Sequence, residues 1–197
     1  MPTNRKMSTT VAAGALALLT ACGGATTEQQ GMSGGNATAT TSAPATPAFN
    51  DADVRFAQMM IPHHEQAAQM ADLAPSRAHD PEIKELAAKI KASQGQEIQT
   101  MKGWLAQWGK PVPSGGMGHE MPGMVSEKDM KQLAAAKGPR FDKLFTQRMI
   151  AHHKGAIEMA RHEQADGSNP QARELAKSIE STQQAEVARL QKILARL

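Results

Sequence analysis

The sequence predicts an all-α protein, a four-helix bundle built from two copies of one helical hairpin. Three observations carry this. The phrase MIPHHEQAAQMA at 60–71 returns as MIAHHKGAIEMA at 149–160, 89 residues on, and no gap is needed from Asp53/Asp142 to Leu105/Leu194. Apolar residues recur at helical spacing in both copies, and no stretch alternates as a strand would. Clusters of Pro, Gly, Asp and Asn divide each copy once, as hairpin turns do.

Asn50, Asp51 and Asp53 make a cap and an acidic first turn. A helix is predicted over about 51–74. Pro62 lies inside it and should kink it or leave a carbonyl unpaired; the second copy has Ala151 there, so the architecture does not require the proline. Residues 75–80 read as a break. Asp80-Pro81-Glu82 opens a second helix to about Trp108, stopped by Gly109-Lys110-Pro111. Residues 111–125 are a Gly/Pro-rich loop. Ser126 with Asp129 caps a short helix to about Ala136, and Gly138-Pro139 breaks it. The third helix is predicted over about 140–165. Asp166 to Pro170 forms a turn, and the fourth helix runs to the C-terminus. The hairpins thus span about 51–109 and 140–197. Each has one apolar stripe to bury, so the two should pack on each other.

The bundle occupies 49–197, and what precedes it reads differently. Asn4-Arg5-Lys6, a short apolar run from Val11 to Leu19 and Leu19-Thr20-Ala21-Cys22 resemble a lipoprotein-type signal over 1–22, with Cys22 as the lipidated residue. Cys22 is the single cysteine, so no intrachain disulfide can form. Residues 23–48 are almost entirely Gly, Ala, Thr, Ser, Pro and Gln with one charge, Glu28. That composition cannot bury a core and reads as a flexible tether. The expected location is therefore the cell envelope, outside the cytoplasmic membrane, with the membrane as partner through a lipid anchor.

Composition narrows the function. A net charge of +3 without a basic stripe, and 3 % aromatic residues, give nucleic-acid binding no support. The unusual numbers are 13 Met and 7 His against no Tyr. Methionine fills helical cores, but its thioether is also a soft ligand suited to monovalent copper.

With 100° per residue, Asp53, Phe56, Met60, His63, His64, Ala67, Met70 and Ala71 fall within an arc of roughly 120°, the width of a buried face. On the returning helix Leu86, Ala87, Ile90, Gln94, Glu97 and Leu105 share another stripe. The second copy retains Met149, His152, His153 and Met159, then Gln183 and Glu186. Each hairpin so turns two histidines, an amide and a carboxylate inward. Burying such groups is costly unless they are paired or bind metal. Two readings result: a His–Glu network fixing helix register, or a metal site. Four histidines flanked by Met60, Met70, Met149 and Met159 favour metal. Adjacent histidines point about 100° apart, so one of each pair should line the axis and the other reach a neighbouring helix or the surface.

The ligand types select the metal. Structural zinc would favour cysteine. A di-iron site needs Glu-x-x-His, and neither Glu158 nor Glu163 has a histidine three residues on. Met with His outside the cytoplasm points to copper, Cu+ or Cu2+. Met117, His119, Met121 and Met124 in the loop add a cluster of soft ligands with no hydrophobic periodicity, suited to capturing the ion. His79 and His162 read as surface residues.

The doubled MI-x-HH-xx-A-xx-MA, each copy followed by Q-xx-E, resembles the bacterial domain-of-unknown-function 305 family from about Phe49 to the C-terminus. The resemblance implies a ferritin-like, exported protein, with copper binding and tolerance among its members. Position by position it lands on Met60, His63, His64, Met70, Gln94 and Glu97, then on Met149, His152, His153, Met159, Gln183 and Glu186.

The expectation is an extracytoplasmic copper-binding protein for sequestration or delivery, served by a copper chaperone or transporter. The His pairs are ligands, the four helix methionines soft ligands or walls, and Glu97, Glu186, Gln94 and Gln183 supports for the histidines. No catalytic constellation is present. The alternatives are a non-metal bundle that binds another envelope protein, with the His–Glu groups as core network, and a ferritin-like metal oxidase.

Overall fold

The computed structural model describes residues 48–113 and 121–197. Among these there are five helices and no strand: α1 Asp51–Arg77, α2 Pro81–Gln107, α3 Glu127–Ala135, α4 Gly138–Asp166 and α5 Pro170–Leu194. Cys22, the predicted signal and almost all of the predicted tether lie outside the described residues, as do Met117 and His119.

The starts are chemically explicit. Asn50 accepts from the amides of Ala52 and Asp53, and the Asp53 carboxylate accepts from Asn50 N–H, a complete capping box. Asp80 and Asn169 cap α2 and α5, each followed by a proline in the first turn. Ser126 caps α3 through Asp129 N at 3.1 Å. Two boundaries differ from the sequence expectation. α1 continues through Pro75 to Arg77, because a proline near the end of a helix removes one bond while Ala78 N–H still closes the last turn on Ala74 O at 2.9 Å. α4 begins at Gly138, since Pro139 suits a first turn; Gly138, at φ +60°, makes the bend into the helix that a glycine allows.

α1 packs with α2, α4 with α5, and α1 against α4. Phe56 and Met60 share a cluster with Met159 and Ala160, whereas Ala67 and Met70 share one with Phe145 and Met149. α1 and α4 therefore run antiparallel. α2 and α5 are tied by Arg189–Glu82 at 2.8 Å and by Arg196 to Asp80 and Glu82 at 2.6 and 2.7 Å. These pairs are partly exposed and contribute modestly.

A reciprocal clamp joins the hairpins. Asp53, in the first turn of α1, accepts from Ser168 N and Asn169 N at 3.2 and 2.9 Å, in the α4–α5 turn. Asp142, its counterpart in α4, accepts from His79 N and Asp80 N, both at 3.0 Å, in the α1–α2 turn.

The core has two apolar clusters. One holds Met70, Leu86, Ile90, Phe145, Met149 and Leu190; the other holds Phe56, Met60, Ile98, Leu105, Met159 and Ile179. In all four long helices the residues between the clusters include polar ones: His63 and His64, Gln94, His152 and His153, and Gln183. The bundle thus carries one polar layer across its width.

Candidate metal centre

All four histidines are fully buried. α1 can bury two side chains 100° apart because it packs on α2 with one side and on α4 with another. For the same reason Ile61, which the helical wheel places off the inward arc, is only 1 % exposed.

His63 and His152 meet at the centre, with ring centroids 3.7 Å apart and planes inclined by 36°. Their neighbours turn outward to the returning helices. His64 Nε2 lies 2.6 Å from Glu97 Oε2, and His153 Nε2 lies 2.8 Å from Glu186 Oε2, the second pair being less well aligned as a hydrogen bond. Glu97 and Glu186 are not deeply buried as the sequence suggested. Their side chains keep 16 % and 13 % exposure, because they reach in from the rim of the layer.

The partners fix the proton positions. A carboxylate oxygen accepts from a ring N–H, so His64 donates from Nε2 to Glu97 Oε2. His63 likewise donates from Nε2 to the Pro122 carbonyl at 3.1 Å. Nδ1 of all four histidines, and Nε2 of His152 and His153, have no hydrogen-bond partner among the described residues. Both side-chain polar atoms of Gln94 and Oε1 of Gln183 are in the same condition. Orphaned polar atoms are rare in folded interiors, and most of those among the described residues collect in this layer.

Burial first, then the neighbouring His64 and His153, hold His63 far below its ordinary range, at about 3, against the opposing Pro122 hydrogen bond. Burial first, then the other three histidines, hold His152 well below its usual value. Both rings are neutral at neutral pH, the form that binds metal.

Met60, Met70 and Met149 are fully buried and Met159 nearly so, in the two apolar clusters that flank the layer. Met121 is buried and Met124 half-buried beside Pro122. Among the described residues no three His, Cys, Asp or Glu side chains converge as a metal cage. The donors on offer are paired imidazoles, of which His63 and His152 are neutral, and nearby thioethers, a set that suits copper in either oxidation state. A cleft of about 380 Å³ has Pro122 in its wall, with Met59, Met159, His162 and Glu163.

Three features escaped sequence reasoning. Glu163 is 1 % exposed and faces Asp53. Neither of its oxygens meets a donor, so it is the neutral acid that donates to Asp53. Burial first, then the bond to Asp53 and its charge, push Glu163 up to about 9. For Asp53, burial acts upward, but the bonds from Glu163 and from the amides of Asn50, Asn169 and Ser168 outweigh it and hold the carboxyl low. The second is the Asp53/Asp142 clamp, whose signal was its retention in both copies. The third is the seat of residues 121–125 on the histidines, for which the repeat gave only a mismatch, Gln66 against Gly155.

A family model described as "Domain of unknown function (DUF305)" matches residues 53–194. A DUF305 protein from Streptomyces coelicolor, described as secreted, is 31 % identical with a TM-score of 0.69, over 74 % of this chain and 93 % of that one. A DUF305 fragment from Deinococcus radiodurans is 29 % identical with a TM-score of 0.71, over 77 % and 100 %. CopM in its Cu(II)-bound form is 34 % identical with a TM-score of 0.65, over 73 % and 96 %; CopM is also solved in Cu(I)- and Ag-bound forms. No curated protein matches the chain.

Proposed function

The chain belongs to the DUF305 family, and from that premise we propose that it is an exported copper-binding protein that sequesters or delivers the ion. The observation that carries the reading is the polar layer. Two hairpins bring four buried histidines together at the core, each with an unpartnered ring nitrogen, and the central pair His63 and His152 is held neutral. Likeness to CopM, whose Cu(II), Cu(I) and Ag forms are solved, supports the same chemistry.

In this reading His63, His64, His152 and His153 are the ligands. Met60, Met70, Met149 and Met159 supply soft ligands or site walls. Glu97 and Glu186 orient their histidines from outside, and Gln94 and Gln183 complete the layer. Met117, His119, Met121 and Met124 capture or pass on the ion. The fold is ferritin-like and built from a duplicated hairpin, a reading supported by the reciprocal Asp53 and Asp142 clamps. Cys22 carries a lipid anchor, and a copper chaperone or transporter is the partner. Likeness to a protein described as secreted supports export.

Titration of the purified full chain with Cu(I) and with Cu(II) tests the proposal. Stoichiometric binding is expected, and it should fail when the four histidines become alanine. Absence of binding in both oxidation states would sink it. One observation favours a second reading, a non-metal bundle that docks another envelope protein: the histidines already pair with Glu97, Glu186 and Pro122, and no three-ligand cage forms among the described residues. That reading gains if the quadruple variant unfolds and the wild type shows no stabilisation by copper.

A further inference from the structure

Residues 121–125 cross the bundle at the histidine pair and are seated from both sides. On α1, Gln66 Nε2 donates to Val125 O at 2.9 Å, and Val125 N–H donates to Gln66 Oε1 at 2.8 Å. On α4, Gly155 makes room: a methyl group there would lie 1.9 Å from Pro122 O and 2.8 Å from Gly123 N. Gly123 itself has φ +78°, and a Cβ on it would lie 2.6 Å from Ala151 O. Gln66 and Gly155 are the same position of the two sequence copies. The copies diverge there because one side grips the segment and the other receives it. The seat places Pro122 O on His63 Nε2 at 3.1 Å.

His152 has no such partner. Neither of its ring nitrogens has a hydrogen-bond partner among the described residues, none of residues 121–125 bonds to it, and only the nearby His63 backbone opposes the effect of its burial. We propose that residues 121–125 are a positioning strap of the metal centre. Through Gln66 and Gly155 the strap holds Pro122 O against His63, fixes that ring as its Nε2–H tautomer and presents the Nδ1 lone pair. It does for His63 what Glu97 does for His64. Its consequence is an asymmetric pair, in which the strap presets His63 and leaves His152 without a matching partner. The inference rests on the copper reading, since a preset lone pair matters only to a ligand.

The test has a metal-free arm and a metal arm. In ¹⁵N-histidine NMR of the metal-free full chain, His63 should appear as a single Nε2–H tautomer. Gln66→Met, which keeps length but loses both bonds to Val125, should convert it to a mixture while the His64 signals hold. Silver(I) affinity should fall about tenfold, the usual scale for losing a ligand's outer partner. Gly155→Ala, which pushes the strap from the opposite side, should do the same, and it serves if Gln66→Met fails to fold. An unchanged His63 tautomer, or silver binding as tight as or tighter than in the wild type, overturns the proposal and leaves the copper reading intact. A tautomer change in the variants, with a wild-type chain that takes no silver or copper, overturns both, and the strap is then only a brace.

Discussion

The Asp53 carboxylate accepts the backbone amide of Asn169 at 2.9 Å, across 116 residues of chain, and Asp142 makes the matching bond to the amide of Asp80 at 3.0 Å. Asn169 and Asp80 are the caps of α5 and α2. Each hairpin therefore holds the turn of the other where a helix must start. Removing the Asp142 carboxylate leaves two backbone N–H groups without their acceptor, and removing that of Asp53 leaves three.

Asp142→Ala should accordingly lower unfolding stability by about 3 kcal/mol, the scale for charge-assisted bonds to buried amides. Asp142→Asn, which keeps one acceptor, should cost less. Urea denaturation measures both, and a midpoint equal to the wild type's would show the clamp to be incidental.

Glu163 makes alkaline pH unfavourable. Its carboxyl ionises at about 9 in the fold, against 4.5 as a free group. Between those values the unfolded chain releases a proton that the folded chain keeps, so stability falls as pH rises. Below 4.5 both states are protonated and the loss vanishes. Asp53, held low, acts oppositely: its contribution is present above 3.8 and is lost as pH falls through its folded value. Glu163→Gln keeps a neutral donor for Asp53. Its melting temperature should therefore change less than the wild type's between about pH 6 and about pH 9. Parallel curves for the two proteins would refute this.

The carboxylates at the rim are expected to tune the ligands. Glu97→Gln and Glu186→Gln should each weaken Cu(II) binding about tenfold, because a neutral amide raises imidazole basicity less than a carboxylate does. Competition against a coloured chelator reads this directly. Equal affinities in wild type and variants would confine both glutamates to packing.

Methionine-to-leucine exchange separates packing from ligation. Met60→Leu and Met149→Leu conserve volume in fully buried sites, so each should cost less than about 1.5 kcal/mol. If the thioethers are ligands, affinity for Cu(I) should drop while Cu(II), held by imidazole, is little affected. Unchanged Cu(I) affinity would make these methionines wall alone.

Much of this protein follows from local properties of its chain. Apolar periodicity and cap residues define all five helices within a few residues, and the repeat picks out the inward stripe. His63, His64, Met60, Met70, Gln94 and their counterparts all lie on it and are buried. These properties are local: a residue's face follows from helical pitch, and a helix start from the few residues around it. Tertiary structure decided the rest. That α1 and α4 run antiparallel, with His63 laid on His152 rather than on a residue of its own hairpin, depends on how two stripes dock. The rim position of Glu97, the neutral Glu163 against Asp53 and the Pro122 bond to His63 join residues tens to more than a hundred positions apart. No pitch or cap encodes such pairs, because they form only when packed helices exclude water and leave each polar atom to the neighbours that remain.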